Sequence, residues 1–339
     1  MRSQSEIGNE MNNTSEEAIT MVCSIVMPLY NNIADVGGAV HSVLEQTVSD
    51  FELIIVNDGS TDGSEILVRN IDDARIRIID QKNSGVAAAR NRGIEESRGE
   101  IIAFLDADDE WKKNFLETIL LLQTKYPQCS VFATKYSYKE INNTYREPII
   151  RKLPSKEWTG VIDNYFEIAS HSDPLVWSSA VAVRKSALQA IGGFPVDIAI
   201  GEDLLTWAKL ALRYEIAYTT TSCAVFRLRG PIAGMPTRKP ELPDRVGNEL
   251  QKIIPQVPHE IQKDFRRYIA MWHRMRAAMY IQLGEQRNAL DEVRKIARYS
   301  LFNPQLYFYL MAALLPRWLR HRMLRIFSYL KIIRRKIIF

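Results

Sequence analysis

The run Ile101-Ile102-Ala103-Phe104-Leu105-Asp106-Ala107-Asp108-Asp109 indicates the fold class of this 339-residue chain. Its five apolar residues are too few for a helix and suit a strand buried on both faces. The acidic residues follow without a spacer, so they lie at the end of that strand. A buried strand that ends in carboxylates is typical of an α/β sheet, in which ligands bind beyond the carboxyl ends of the strands.

Three further apolar runs precede this one, with helical patterns between them. The apolar runs are Val22–Met27, Phe51–Val56 and Arg75–Ile79, and the helical stretches lie near Asp35–Gln46, Ser64–Asn70 and Val86–Arg98. This alternation predicts βαβ units, and therefore an α/β fold with a mainly parallel central sheet and flanking helices. Mixed elements follow to residue 228, and the pattern is helical from residue 259 to the end.

Two carboxylates one residue apart, Asp106 and Asp108, lie at the predicted ligand edge of the sheet. Hard oxygen ligands of this kind suit Mg²⁺ or Mn²⁺, which often bind one or two carboxylates together with ligand phosphates. A metal held there would stabilise a diphosphate leaving group. The spacing alone is equally compatible with a solvated acidic turn.

Polar residues also follow the other predicted strands. Asp58 begins the segment after the second strand, where it could bind a base or a sugar, although a turn and a helix cap explain most of that segment. Arg90 lies in the first turns of the third predicted helix, and arginine is suited to bidentate contact with phosphate. An ordinary alanine-rich helix with a solvated arginine explains the same residues.

Taken in order, these segments resemble glycosyltransferase family 2, the inverting, nucleotide-sugar-dependent enzymes with the GT-A fold. The resemblance covers about residues 21–228. It is carried by Ser24–Asn31, Ser42–Thr47, Phe51–Ser64, Asn83–Gly93, Gly99–Asp109, Gly192-Gly193-Phe194 and Gly201-Glu202-Asp203. Asn57 departs from the pattern, because an acid is common at that position in the family. Gly37-Gly38 also depart from it, and they weaken the first helix.

The resemblance implies a role for eight residues. Pro28, Tyr30 and Asp58 would form a uracil and ribose pocket, and Asn83 and Arg90 would also contact the nucleotide. Asp106 would bind the ribose or the diphosphate, and Asp108 would ligate Mn²⁺ or Mg²⁺. Asp203 would be the general base. Inversion is a single displacement, so a base must take the proton of the attacking hydroxyl. Glu202 and Asp203 taken alone also fit an acid pair at a helix N-terminus.

Charge is distributed unevenly along the chain. The 44 Lys and Arg and 40 Asp and Glu residues leave +4, yet eleven basic residues and no acidic residue follow Glu292. Apolar side chains at residues 315–337 recur every three or four positions, opposite basic ones. A helix of that kind can lie on an anionic membrane surface, or it can pack on the protein with its basic face in solvent. No nucleic-acid-binding motif is present, so we expect no nucleic-acid partner.

The sequence predicts four regions. These are a disordered leader at 1–20, a GT-A domain at 21–228 with a nucleotide half (21–109) and an acceptor half (110–228), a proline-rich linker at 229–258, and a helical region at 259–339 that ends in the basic amphipathic helix. Three scattered cysteines indicate reduced, buried thiols. No apolar run reaches the roughly 18 residues of a membrane span. We therefore expect a cytoplasmic protein, peripheral on the inner face of the membrane.

The resemblance implies a metal-dependent inverting transferase that moves one sugar from a nucleoside diphosphate, with UDP favoured, to a hydroxyl of a saccharide. The acceptor could be lipid-linked, as in surface polysaccharide synthesis. The Gln-x-x-Arg-Trp signature of processive members is absent, which favours addition of a single sugar. Two alternatives stay open: a membrane-peripheral protein that binds nucleotide-sugars without transfer, and a sugar nucleotidyltransferase.

Overall fold

The structure is a computed structural model that describes residues 23–154, 157–228, 239–301 and 304–315. The predicted leader at 1–20 and the basic amphipathic helix beyond residue 315 lie outside the described residues, as does the first third of the predicted linker.

Residues 23–104 form the predicted parallel unit. Its elements are β1 (Cys23–Leu29), α1 (Val36–Leu44), β2 (Phe51–Asn57), α2 (Ser64–Arg69), β3 (Ile76–Asp80), α3 (Val86–Glu96) and β4 (Ile101–Phe104). The strands lie in the order β3-β2-β1-β4, and each neighbouring pair is parallel. Strands β2 and β4 are buried throughout, and β1 is buried except at Pro28, as apolar runs between two helical layers should be. Strand β3 differs from the expectation, since it is the edge strand and is only half-buried.

Residues 110–227 extend the same sheet with mixed pairing. Its elements are β5 (Glu110–Trp111), α4 (Phe115–Lys125), β6 (Val131–Lys139), β7 (Tyr145–Arg146), β8 (Thr159–Val161), α5 (Tyr165–His171), β9 (Val181–Arg184), α6 (Lys185–Ala190), α7 (Glu202–Ala211) and β10 (Ile216–Arg227). Strand β9 runs antiparallel to both β4 and β6, and it joins the parallel unit to the parallel pair β6 and β10. In the described chain this makes one sheet in the order β3-β2-β1-β4-β9-β6-β10-β5.

Among the described residues, four α-helices follow the sheet: α8 (Arg245–Ile253), α9 (Gln262–Leu283), α10 (Gln286–Tyr299) and α11 (Pro304–Leu314). Gly284 ends α9 in the left-handed conformation, with φ +82°. Helix α8 lies inside the segment predicted to be a linker. The described prolines of that segment flank the helix without interrupting it, so the proline content did not exclude a helix there.

Helix α9 shares an apolar core with the sheet. Phe265, Tyr268, Ile269 and Trp272 of α9 are buried in the same cluster as Phe104 of β4. Helix α9 is therefore packed onto the sheet through a shared apolar core. The three cysteines are free and buried, as predicted. Among the described helices, none is both long enough and apolar enough to cross a membrane.

Candidate functional site

A crevice opens in the sheet where β1 and β4 part. Their pairing ends at Val26 and Phe104, and Leu105 N donates the last hydrogen bond to Val26 O, at 3.2 Å. The next donor on that edge of β1 would be the amide of residue 28, but Pro28 has no N–H. Strand β1 continues alongside β2 as far as Leu29. The strand order reverses at this point, which is where ligands bind in sheets of this type.

The acidic run after β4 contains one buried and two accessible carboxylates. Asp109 is buried, and its Oδ2 accepts hydrogen bonds from Ser179 Oγ at 2.6 Å and from Trp177 Nε1 at 3.1 Å. Asp106 N in turn donates to Ser179 Oγ at 3.1 Å. Burial, together with the charges of Asp106 and Asp108, raises the pKa of Asp109 well above its ordinary value. Asp109 therefore anchors the turn from beneath, and the side chains of Asp106 and Asp108 stay partly exposed.

Sequence reasoning missed Ser179, which holds the two ends of this turn. It lies in the short 3₁₀ turn Ser178–Ala180, directly before β9. The apolar pattern carries no signal for a serine that hydrogen-bonds a turn about 70 residues earlier in the chain.

Arg90 links the acidic turn to the acid pair of α7. Its guanidinium contacts Asp106 Oδ1 through Nη2 at 2.7 Å and Glu202 Oε1 through Nη1 at 3.1 Å. The side chain is buried and also lies 5.2 Å from the ring centre of Phe194. Burial alone would lower the pKa of Arg90, but the charges of Asp106 and Glu202 reverse this and raise it. The expected contact of Arg90 with the nucleotide stays a prediction; in the structure, its two terminal nitrogens contact protein carboxylates.

Glu202 and Asp203 begin helix α7 directly after Gly201, which has φ +87°. Glu202 is buried and Asp203 is partly exposed, with Asp203 Oδ1 accepting a hydrogen bond from Leu204 N at 2.7 Å. Burial and then the charge of Asp203 raise the pKa of Glu202 to about 7. Burial is also the main cause that raises the pKa of Asp203. The pair thus occupies a helix N-terminus and also has the raised proton affinity that a general base requires.

Asp58 organises the loop before α3. Its buried carboxylate accepts hydrogen bonds from Gln81 Nε2 at 2.7 Å, Ser84 N at 2.8 Å and Gly85 N at 2.9 Å. Gly59 lies so close to this loop that a Cβ there would be 3.1 Å from Asn83 N. The carboxylate of Asp58, with its three protein donors, therefore holds the end of β2 and the start of α3 together.

Two further predicted residues, Tyr30 and Asn83, lie exposed in the loops that follow β1 and β3. The side chain of Tyr30 is 53% exposed, directly after β1, and Asn83 is also exposed. Asn31, with φ +47°, accepts a hydrogen bond from Thr61 N at 2.8 Å and so joins the first strand end to the second. Asn57, the departure from the family pattern, accepts from Ser60 N and donates to Asp80, and thus shapes the turn.

A second cluster of acids lies away from the crevice. Oxygen and nitrogen atoms of Asp244, His273 and Glu292 lie within 4.8 Å of one another, and all three residues are buried. Arg276 Nε is 3.1 Å and Lys295 Nζ is 3.0 Å from Glu292 Oε1. These two cations already supply the positive charge that a metal ion would bring, so we interpret the cluster as an internal charge network.

The crevice defines an α/β protein of the nucleotide-binding type, with an acidic strand end facing an acid pair. Residues 24–192 match the family model described as Glycosyl transferase family 2. The putative teichuronic acid biosynthesis glycosyltransferase TuaG of Bacillus subtilis (strain 168) is 32% identical over 209 residues, which cover 60% of this chain and 78% of TuaG. The chain belongs to glycosyltransferase family 2.

Other relatives are much longer than the shared region. An uncharacterized glycosyltransferase of Rickettsia bellii (strain RML369-C) is 34% identical over 209 residues, which cover 61% of this chain and 29% of that protein. The matched region is thus less than a third of that relative. The match to the family model ends at Gly192, before Glu202 and Asp203.

Solved structures share the fold over most of the chain. Crystal structures of S. aureus TarS match with a TM-score of 0.64 at 18% identity, covering 86% of this chain and 53% of that one. TarS 1–349 in complex with UDP-GlcNAc matches with a TM-score of 0.55 at 16% identity, covering 83% of this chain and 92% of that one. These likenesses confirm the predicted GT-A fold with its C-terminal helical region.

Proposed function

We propose that this protein transfers a single sugar from UDP-sugar to a hydroxyl of a saccharide, with inversion at the anomeric carbon. The observation that carries the proposal is the bridge through Arg90, which places the acid pair of α7 beside the acidic turn after β4. One buried guanidinium thereby sets the distance between a donor side and an acceptor side of the same crevice. The complex of TarS with UDP-GlcNAc supports a UDP-sugar donor.

The chain's own residues divide the work of such a displacement. Pro28, Tyr30, Asp58 and Asn83 would bound the uracil and ribose, with the base lying against the loop that Asp58 organises. Asp106, oriented by Arg90, would contact the ribose or the diphosphate. As the acceptor oxygen attacks the anomeric carbon, the bond from that carbon to the diphosphate breaks, and Asp203 takes the acceptor's proton.

A divalent cation fits the acidic turn, because the partly exposed carboxylates of Asp106 and Asp108 offer the hard oxygen ligands that Mn²⁺ and Mg²⁺ prefer. Asp108 would hold it directly. When bound, the ion would stabilise the negative charge of the leaving diphosphate. Asp109 would support the site without ligating the ion, since Ser179 and Trp177 occupy its Oδ2.

Two substitutions test the assignment. Asp203→Asn should lower kcat by roughly 10²- to 10⁴-fold, the usual contribution of a general base, while UDP binding stays unchanged. Asp108→Asn should abolish metal-dependent UDP binding in isothermal titration. The control Asp163→Asn alters an exposed aspartate between β8 and α5 and should leave both measurements unchanged.

The product distinguishes the alternatives. A transferase releases UDP from a UDP-sugar in the presence of a saccharide, whereas a nucleotidyltransferase forms pyrophosphate from UTP and a sugar phosphate. Binding of UDP-sugars without either product would indicate a binding protein. Full turnover in both Asp203→Asn and Asp108→Asn would contradict the proposed roles.

The proposal extends to an anionic membrane surface and a lipid-linked acceptor on the cytoplasmic side. Helix α11 packs on α9 and α10 through Leu306, Ala312 and Ala313. Its opposite face exposes apolar side chains spaced as one helical stripe: Tyr307, Leu310, Met311 and Leu314. Eight basic residues and no acidic one follow at 317–336. An apolar stripe next to such a basic segment suits the surface of an anionic bilayer.

Sedimentation with vesicles tests this extension. The chain should bind vesicles that contain phosphatidylglycerol, and removing residues 316–339 should weaken that binding strongly, because near-surface Lys and Arg contribute on the order of 1 kcal/mol each. Vesicles of phosphatidylcholine alone are the control. Equal binding to both vesicle types, or binding unaffected by the truncation, would contradict the membrane proposal and leave the catalytic one intact.

A further inference from the structure

The backbone that enters helix α7 is held by residues from the segment after the sheet. Glu241 Oε1 accepts a hydrogen bond from Ala199 N at 2.7 Å. The Nη1 atom of Arg245 lies 3.2 Å from Asp197 Oδ2. Both contacts reach the loop that leads to Gly201, and both come from residues that the family match does not include.

Two aromatic residues of α9 contact the first turn of α7 itself. Tyr268 and Trp272 lie four residues apart and so share one face of α9. The hydroxyl of Tyr268 donates to Leu204 O at 3.0 Å. The ring of Trp272 lies against Gly201, where a Cβ would be 2.7 Å from the ring atoms Cη2 and Cζ3. These contacts occur on either side of Glu202 and Asp203.

The orientation of Trp272 is determined by a buried hydrogen bond. Its Nε1 donates to Asp244 Oδ1 at 3.0 Å, and both residues are buried. Asp244 also caps α8 by accepting from Gly247 N at 2.9 Å. Arg276 Nε lies 3.4 Å from Asp244 Oδ2 and 3.1 Å from Glu292 Oε1. The charge network of α8, α9 and α10 therefore holds the indole ring beneath the loop.

We propose that Trp272 is a positioning residue that holds Glu202 and Asp203 in the geometry for proton transfer. The inference rests on the proposed function, because proton transfer is a step of that function. The contact between Trp272 and Gly201 does not depend on it. A general base must lie within hydrogen-bond reach of the acceptor hydroxyl. A misplacement of about 1 Å can cost about 10²-fold in rate, even when it originates far from the reacting atoms. The helical region is thus part of the catalytic apparatus.

Trp272→Phe is the central experiment, because it keeps an aromatic ring but removes Nε1 and shortens the side chain. The gap beneath Gly201 then allows the first turn of α7 to relax. We expect kcat to fall by about 10-fold or more, with the KM for UDP-sugar and the affinity for UDP changing less than about 2-fold. Trp272→Leu should lower kcat further. Trp158→Phe makes the same change in a half-buried tryptophan near β8 and should leave kcat unchanged.

Hydrogen exchange gives a readout that does not depend on turnover. Amides of residues 199–205 should exchange faster in Trp272→Phe than in the wild type, while those around Asp58 should not change. If the wild type transfers no sugar, the proposed function fails, and this exchange measurement still tests the positioning. If Trp272→Phe does not fold, Arg245→Ala breaks the contact with Asp197 at the surface and should still lower kcat by a few-fold. An unchanged kcat, or equal losses in kcat and in UDP affinity, would overturn the proposal.

Discussion

Replacing Arg90 with methionine tests how strongly the crevice depends on one buried cation. Methionine has a similar length and no charge, so Asp106 and Glu202 would lose their common partner at 2.7 and 3.1 Å. Removing one partner of a buried ion pair typically costs about 3–5 kcal/mol, because the remaining charge is left uncompensated. Globular proteins have an unfolding entropy of about 2.1 cal/mol/K per residue, so this cost corresponds to a fall in Tm of roughly 4–7 °C for a chain of this size.

The assay is thermal unfolding at pH 8, above the pKa of Glu202 of about 7, so that the Glu202 carboxylate is ionised. Arg90→Met should lower Tm by the stated amount. If the two substitutions acted independently, the double variant Arg90→Met/Glu202→Gln would lose the sum of their separate stability costs. It should be more stable than that sum predicts by about 1 kcal/mol or more, because Glu202→Gln removes one of the uncompensated charges. A fall in Tm below about 2 °C, or strict additivity of the two substitutions, would refute the assigned bridge.

Three further predictions concern protonation and the acidic turn. The rate of transfer should rise in a step near pH 7, because Glu202 ionises there and its charge raises the proton affinity of Asp203. In a pH profile of kcat, Glu202→Gln should abolish that step. The hydrogen bond from His273 and the charge of Arg276 overcome burial and lower the pKa of Glu292 to about 2. Ionised Glu292 therefore contributes up to about 3 kcal/mol of stability above pH 4.5, and this contribution is lost as the pH falls towards 2. Between pH 5 and pH 3, Tm should depend less on pH in Glu292→Gln than in the wild type. Ser179→Ala should cost about 1–3 kcal/mol in urea unfolding, because buried Asp109 loses a donor, whereas a cost near zero would show that the turn does not depend on this hydroxyl.

Much of the first half of the fold follows from local pattern. Short apolar runs that end in polar residues predicted β1, β2 and β4, because a strand between two helical layers must be apolar on both faces. The same pattern predicted that β3 is buried like the other three strands, although β3 is the edge strand and is only half-buried. Helix α8 was not predicted, because prolines flank it and a segment rich in proline has the composition that is typical of a loop.

The candidate site was likewise predicted only in part from the sequence. The order of motifs along the chain was enough to indicate the family and to place Asp106, Asp108 and Asp203 at element ends. It could not show that Asp58 is held by three donors of the next loop, since that depends on how closely Gly59 approaches Asn83. The assigned roles of these residues stay proposals that the substitutions above test.

By itself, the sequence determined where the strands end and which residues stand there, because these properties depend on a few neighbouring side chains and their periodicity. Only the tertiary structure decided which of those residues meet. Arg90 and Glu202 are 112 positions apart, and Trp272 lies 71 positions after Gly201, yet each pair is in contact. Such contacts arise from the packing of whole helices on the sheet, which no local pattern encodes. The partners of a buried charge, and the side chains that support the acid pair of α7, are therefore properties of the folded chain.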